Sequence, residues 1–131
     1  MSYRIGIDIE SISDVRAAAE KHKQFLDKVL TKSEQKQLAG RKGNGYYAYL
    51  AGRFSSKEAY AKATGFGIGS KVNFTDIEIL DDENGAPRLS VSGRSLFLNA
   101  KSYQISISHK IKLDLVATEV LIEVEDGNSD S

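Results

Sequence analysis

The chain has 131 residues, no cysteine, and eighteen basic residues against eighteen acidic ones, a formal charge of zero. That length supports one domain. The missing thiols exclude a disulfide framework, a thiolate zinc site and a cysteine nucleophile, and the charge balance removes any global attraction to nucleic acid or an anionic membrane. No apolar run approaches the roughly 18 residues of a spanning helix, and residues 1–10 lack the basic and apolar regions of a secretory signal, so a soluble, cytoplasmic protein is expected.

Residues 3–10 alternate strictly, as a half-buried strand does: Ile5, Ile7 and Ile9 face one side, and Gly6, Asp8 and Glu10 the other. Residues two apart on a strand lie roughly 6.5–7 Å apart, so Asp8 and Glu10 either form the strand's solvated face or share a cation or a water. Gly6 leaves space for something to approach the backbone. Ser11 or Ser13 then caps a helix through about His22, with Asp14 favourable to its dipole and His22 a surface residue. Phe25, Leu26, Val29 and Leu30 pack a short helix or turn, and Thr31-Lys32-Ser33-Glu34 is a capping box opening the next helix. Arg41-Lys42-Gly43-Asn44-Gly45 breaks that helix, either as a flexible connection or as an anion-contacting loop.

Residues 46–64 form the longest predicted helix: Ala59, Ala61 and Ala63 favour it, no proline interrupts it, and Gly65 sits where a left-handed cap would end it. Glu58 and Lys62, four apart, share one face, with Phe54 a turn above. In an exposed helix they would be an ion pair contributing roughly 0.2–0.5 kcal/mol. This helix is mostly apolar and should be substantially buried, where surviving charges have a partner or a ligand. Gly65-Phe66-Gly67-Ile68-Gly69 follows the helix instead of preceding one, so it is neither a Rossmann fingerprint nor a Walker loop; it serves as a cap and turn, or lets backbone approach a phosphate.

Strands follow at 76–80 and 88–92, joined by the tight-turn signal Asn84-Gly85 with Pro87 stiffening the exit, then a short helix or loop at 96–100 and strands at 103–108 and 113–125. In the last of these Val116, Thr118, Val120 and Ile122 oppose Leu115, Ala117, Glu119 and Leu121. His109 ends the strand carrying Ser106 and Ser108, but successive strand residues point to opposite faces and no third acid is placed, which argues against a serine-histidine nucleophile. Residues 126–131 read as a disordered acidic tail, leaving 1–125 as the folded domain. The expected fold is α+β, an antiparallel sheet with the long helix packed against it.

Five blocks in this order and spacing resemble the holo-acyl-carrier-protein synthases, the small class of 4′-phosphopantetheinyl transferases. They are Gly6-Ile7-Asp8-Ile9-Glu10, Leu30-Thr31-Lys32-Ser33-Glu34, Gly52-Arg53-Phe54-Ser55-Ser56-Lys57-Glu58-Ala59 with Lys62 and Gly65, Asn84-Gly85-Ala86-Pro87, and Ser106-Ile107-Ser108-His109. The resemblance covers nearly the whole chain. It implies transfer of the phosphopantetheine arm of coenzyme A to a serine of apo-acyl carrier protein, for fatty acid biosynthesis, with release of adenosine 3′,5′-bisphosphate. It places Mg²⁺ on Asp8 and Glu58 and the pyrophosphate against Lys62, and makes Glu58, directly or through a metal-bound water, the candidate base for the serine. Arg53 and His109 would meet the 3′-phosphate or nearby nucleotide groups, Gly85 and Pro87 would border the adenine, and Gly65 would belong to the coenzyme A site. A homotrimer follows from the same resemblance, and the likeness to the larger transferases, whose two similar halves divide the matching His and carboxylates, implies a site shared between two subunits: Asp8, Glu58 and Lys62 from one, His109, Gly85 and Pro87 from the next.

Two departures from the family pattern stand out. Glu10 makes the strand motif Asp-x-Glu, as in the larger phosphopantetheinyl transferases, so a third carboxylate is a candidate metal ligand. Asp14 stands where the family commonly has an arginine that docks the acidic carrier protein; Arg16, Lys21 and Lys23 are the candidates for that positive surface, unless they form an ordinary solvated face. The alternatives are a catalytically silent nucleotide- or carrier-protein-binding module, for which Asp14 speaks, and an inert domain, which would leave Asp8, Glu58 and Lys62 without partners.

Overall fold

The long helix is α4, Gly43–Thr64, and in the computed structural model, which describes residues 1–125, the other elements pack around it. Residues 126–131, expected to be a disordered tail, lie outside the described residues. The helix begins earlier than expected because the loop glycines serve in its first turn, where Gly43 takes a φ of 57° to leave the preceding loop. It ends as expected at Gly65, φ 85°, whose N–H donates to the Lys62 carbonyl. Arg4 satisfies two further terminal carbonyls, donating from Nε to Ala63 at 2.6 Å and from Nη2 to Thr64 at 3.4 Å, with its charge at the negative end of the helix.

Ahead of α4 come β1 (Ser2–Ser11), α1 (Ile12–Lys21), α2 (Phe25–Val29) and α3 (Lys32–Ala39). Ser11 caps α1 by accepting from the Asp14 N–H, and the capping box of Thr31 and Glu34 opens α3 as read from the sequence. After α4 come β2 (Ile77–Asp81), β3 (Pro87–Val91), β4 (Ala100–Lys110) and β5 (Leu115–Val124). The antiparallel sheet under α4 has the order β1-β5-β4, while β2 and β3 form a separate two-stranded sheet.

The hairpin turn is looser than a two-residue turn: Asp81 pairs with Pro87, and the Asp82 carboxylate gathers the N–H groups of Asn84 and Ala86 between them. Strand β4 is longer than expected, so His109 lies within it instead of at its end. Strand β5 begins later, because a 3-10 turn over Ile111–Leu113 and Asp114 at φ 56° occupy the corner. That corner is tied to α1, for the Asp114 carboxylate accepts from the Ser11 hydroxyl at 2.6 Å and the Ser13 N–H at 2.8 Å.

Strand β1 turns its apolar residues outward. Ile5, Ile7 and Ile9 are exposed, whereas Gly6 and Asp8 are buried against α4. Gly6 explains the inversion: a Cβ built there would stand 1.9 Å from the Ala59 carbonyl oxygen, so strand and helix meet at backbone contact. The space left by Gly6 is thus filled by helix backbone. Helix α4 is buried around most of its circumference and serves two cores, one with Leu30, Leu38, Leu50 and Val116, the other with Tyr60, Val72, Ile79 and Ile122. Truncating a fully enclosed side chain such as Leu50 costs about 2–5 kcal/mol.

Candidate active site

The contact of β1 with α4 brings three carboxylates and one ammonium together. Asp8 is 6% exposed. Lys62 donates from Nζ to Asp8 Oδ1 at 2.9 Å and to the Ile7 carbonyl at 3.2 Å, so it reaches across the helix–sheet seam and is not spent on Glu58, its neighbour one turn away. Glu58 has no hydrogen-bond or ion-pair partner among the described residues. Asp8 Oδ2 is buried and receives no hydrogen bond from any nitrogen or hydroxyl; the neighbouring Glu10 carboxyl can donate to Asp8 when it carries a proton.

The electrostatics reflect crowding of like charges. Burial, the adjoining Asp8 carboxyl and the charge of Glu58 push Glu10 up to about 7, with Lys62 opposing. Burial first and Asp8 second also raise Glu58 above the ordinary carboxylate range. The hydrogen bond to Asp8, reinforced by the surrounding carboxylates, raises Lys62. Asp8 and Glu10 therefore do not form a solvated strand face.

Among the described residues no group of three or more His, Cys, Asp or Glu side chains is arranged to hold a metal ion. Asp8 and Glu58 nevertheless suit Mg²⁺, which takes one or two carboxylates and completes its shell with water and substrate phosphate. The buried Asp8 Oδ2 is an acceptor still lacking the positive partner that such an ion supplies.

On the other side of α4, a cavity of about 330 Å³ is lined by Arg53, Gly85, Pro87 and His109, together with Arg41, Gly45 and Ile107. Four residues chosen from sequence thus meet at one place. Alternation along β4 aims His109 into it beside Ile107, with Ser106 and Ser108 on the opposite, exposed face. Arg53 is held more firmly than expected for a ligand contact: Nε donates to the Ile79 carbonyl at 3.0 Å, Nη2 donates to Asp81 Oδ1 at 2.8 Å, and its guanidinium lies 3.9 Å from the Tyr49 ring centroid. Gly65 lies one turn beyond Lys62 as the cap of α4 and is not part of this lining.

A third concavity, about 550 Å³, has an apolar floor of Phe25, Val29, Phe54 and Phe74 and a rim carrying Lys21, His22, Lys23 and Lys28. Phe54 stacks between Phe25 and Phe74, at 5.9 and 5.5 Å between centroids, one turn ahead of Glu58. Arg16, expected to share the basic surface, pairs with Glu20 at 3.2 Å and lies over Tyr47, while Asp14 is exposed in the first turn of α1.

Sequence reasoning missed the residues that anchor these walls. Lys57, fully buried, donates to Glu34 Oε1 and to the Val29 carbonyl, both at 2.6 Å, and Glu34 Oε2 accepts from the Ile79 N–H at 2.7 Å. The capping box marked Glu34 but nothing marked its second partner. Arg41 was legible only as one charge in a loop with two readings; its place in the cavity comes from the end of α3 meeting β2.

Residues 4–120 match the 4′-phosphopantetheinyl transferase superfamily. The chain is 99% identical, over 131 residues and the full length of both, to a holo-[acyl-carrier-protein] synthase of Oenococcus oeni. It is 44% identical to one of Leuconostoc citreum over 119 residues, 91% of this chain and 83% of that one. Among solved structures it is similar to a holo-(acyl-carrier-protein) synthase from Bacillus anthracis in complex with coenzyme A (3′,5′-ADP), with a TM-score of 0.79 and 35% identity over 93% of this chain and 96% of that one. A Helicobacter pylori holo-[acyl-carrier-protein] synthase in complex with coenzyme A gives a TM-score of 0.79 and 31% identity over 91% and 99%.

Proposed function

The chain belongs to the 4′-phosphopantetheinyl transferase superfamily, and from that premise we propose how it transfers the 4′-phosphopantetheine arm of coenzyme A to a serine of apo-acyl carrier protein. The observation that carries the reading is the seam where Asp8, Glu58 and Lys62 meet with one buried carboxylate oxygen unsatisfied.

The serine Oγ attacks the β-phosphorus of coenzyme A, the bond from that phosphorus to the bridging oxygen breaks, and adenosine 3′,5′-bisphosphate leaves with that oxygen. Glu58, which has no hydrogen-bond or ion-pair partner among the described residues, takes the serine proton. Lys62, fixed by Asp8 and the Ile7 carbonyl, places its ammonium against the pyrophosphate, where negative charge accumulates on the departing oxygen. Asp8 and Glu58 would hold Mg²⁺, which when bound supplies further neutralisation of that pyrophosphate. Gly85 and Pro87 border the adenine, and His109 and Arg53 face the phosphate on the ribose, Arg53 through Nη1, the nitrogen its internal bonds leave free.

The acidic seam and the nucleotide cavity lie on different sides of α4, which supports a site completed by a neighbouring copy. The outward row of Ile5, Ile7 and Ile9 on an otherwise solvated sheet supports a homotrimer that covers it. The apolar floor and lysine rim beside Phe54 suit an acidic carrier protein delivering its serine toward Glu58. No helix among the described residues is long and apolar enough to cross a membrane, which accords with work in the cytoplasm.

The test is mass gain of an apo-acyl carrier protein incubated with coenzyme A and Mg²⁺, lost on chelation and lost in Asp8→Ala. Sharing of the site is tested by refolding Asp8→Ala with His109→Ala: mixed rings regain activity, whereas a site built within one chain shows only the sum of the two variants.

A further inference from the structure

The nucleotide cavity contains two arginines, and they differ in what they can reach. Arg53 has a side chain only 4% exposed, whereas that of Arg41 is 32% exposed at the same wall. Both guanidiniums bind the same carboxylate, Arg41 Nη2 at 2.6 Å from Asp81 Oδ2 and Arg53 Nη2 at 2.8 Å from Asp81 Oδ1. One carboxylate against two guanidiniums leaves a surplus positive charge in a cavity otherwise walled by groups such as Gly85, Pro87 and Ile107.

Arg41 is also held in a fixed plane. It donates from Nη1 to the Gln37 carbonyl at 2.8 Å, and its guanidinium carbon lies 4.1 Å from the Tyr49 ring centroid. Tyr49 is itself pinned by donating to Gln37 Oε1 at 2.9 Å. Two of the five N–H donors of Arg41 are engaged, so a planar donor set remains, pre-organised and open to the cavity. Guanidinium geometry of this kind matches a phosphate, and the opening left by Gly45, whose Cβ would meet nothing within 4 Å, gives the phosphate room.

We propose that Arg41, clamped by Asp81 and laid over Tyr49, is the specificity-determining residue that reads the phosphate on the ribose of the donor, so that coenzyme A is preferred to dephospho-coenzyme A. This inference rests on the reading of the cavity as the nucleotide site. Arg53, facing the same phosphate through Nη1, also holds Asp81 and through it Arg41.

The experiment compares the two donors in wild type, Arg41→Ala and Arg41→Lys, with nucleotide binding measured separately by calorimetry. Loss of a charge-assisted contact should raise the KM for coenzyme A about tenfold or more in Arg41→Ala, with kcat and the KM for dephospho-coenzyme A within about twofold of wild type. Affinity for adenosine 3′,5′-bisphosphate should fall in parallel while that for adenosine 5′-monophosphate stays constant, and Arg41→Lys should lie between. Equal weakening of both donors would overturn the proposal in favour of a packing role, and an unchanged preference would show that the phosphate is held elsewhere. If neither nucleotide binds wild type, the reading of the cavity fails as well; if the bisphosphate binds wild type and Arg41→Ala equally, only the assignment of Arg41 fails.

Discussion

Lys57 and Glu58 are neighbours on α4, yet they stand in ion clusters of opposite character. Lys57 points toward α2, α3 and β2, where its ammonium meets the Val29 carbonyl and Glu34, and Glu34 in turn accepts from the backbone of Thr31 and Ile79. Each charge in that pair is fully buried and hydrogen-bonded by groups from surrounding elements. Glu58 points toward β1, where three carboxyl groups face one lysine and Asp8 Oδ2 accepts from no nitrogen or hydroxyl. A buried ionic network that is complete holds the architecture together; an incomplete one is a place prepared for something else.

Breaking the complete cluster should have the largest effect on folding. Lys57→Met leaves Glu34 as an uncompensated buried charge, and the expected loss is about 3–5 kcal/mol, read by urea denaturation. Replacing Glu34 by leucine in the same chain should recover part of it, because no isolated charge then remains.

Glu58→Gln should do the reverse, lowering kcat by about 10²- to 10⁴-fold, the usual loss for a general base, with the thermal midpoint unchanged or raised. Asp8→Asn should likewise keep or gain stability while transfer is lost, since it relieves repulsion within the seam. A large fall in stability in either variant would erase the distinction between the clusters.

Gly6→Ala drives a methyl into the backbone of α4 and should cost about 1–3 kcal/mol or more. It should also abolish any rise in thermal midpoint on adding Mg²⁺, because the strand that carries Asp8 is displaced.

The smallest expected effect is in pH dependence. The folded protein holds a proton on Glu10 up to about pH 7, against 4.5 for the free side chain, so the native state binds more protons than the unfolded one in between. Without metal, this contribution to stability is present below pH 4.5 and is lost as pH rises to 7; denaturation series should show it, and Glu10→Gln should flatten it. The gain from Mg²⁺ should therefore be greater at pH 8 than at pH 5.

Much of the site was legible because it sits on regular elements. The alternation of residues 3–10 put Asp8 and Glu10 on one face, the four-residue spacing put Glu58 and Lys62 on another, and alternation along β4 separated His109 from its serines. The outward turn of Ile5, Ile7 and Ile9 was not legible. A period of two reports which residues share a face and is silent on which face meets the helix, and only the Ala59 backbone against Gly6 decides that.

By itself the sequence determined the α+β class, the long helix with its glycine cap, the capping box and the family, since these depend on local spacing and residue type. The tertiary structure alone decided that Lys62 serves Asp8 instead of Glu58, that Lys57 and Glu34 neutralise one another in the interior, and that Arg41 and Arg53 share Asp81 in one cavity. Each of these is a contact between charges 23 or more positions apart in the chain. Such charges find each other only when strands and helices pack, because an ion pair draws its strength from the low-dielectric environment that packing creates.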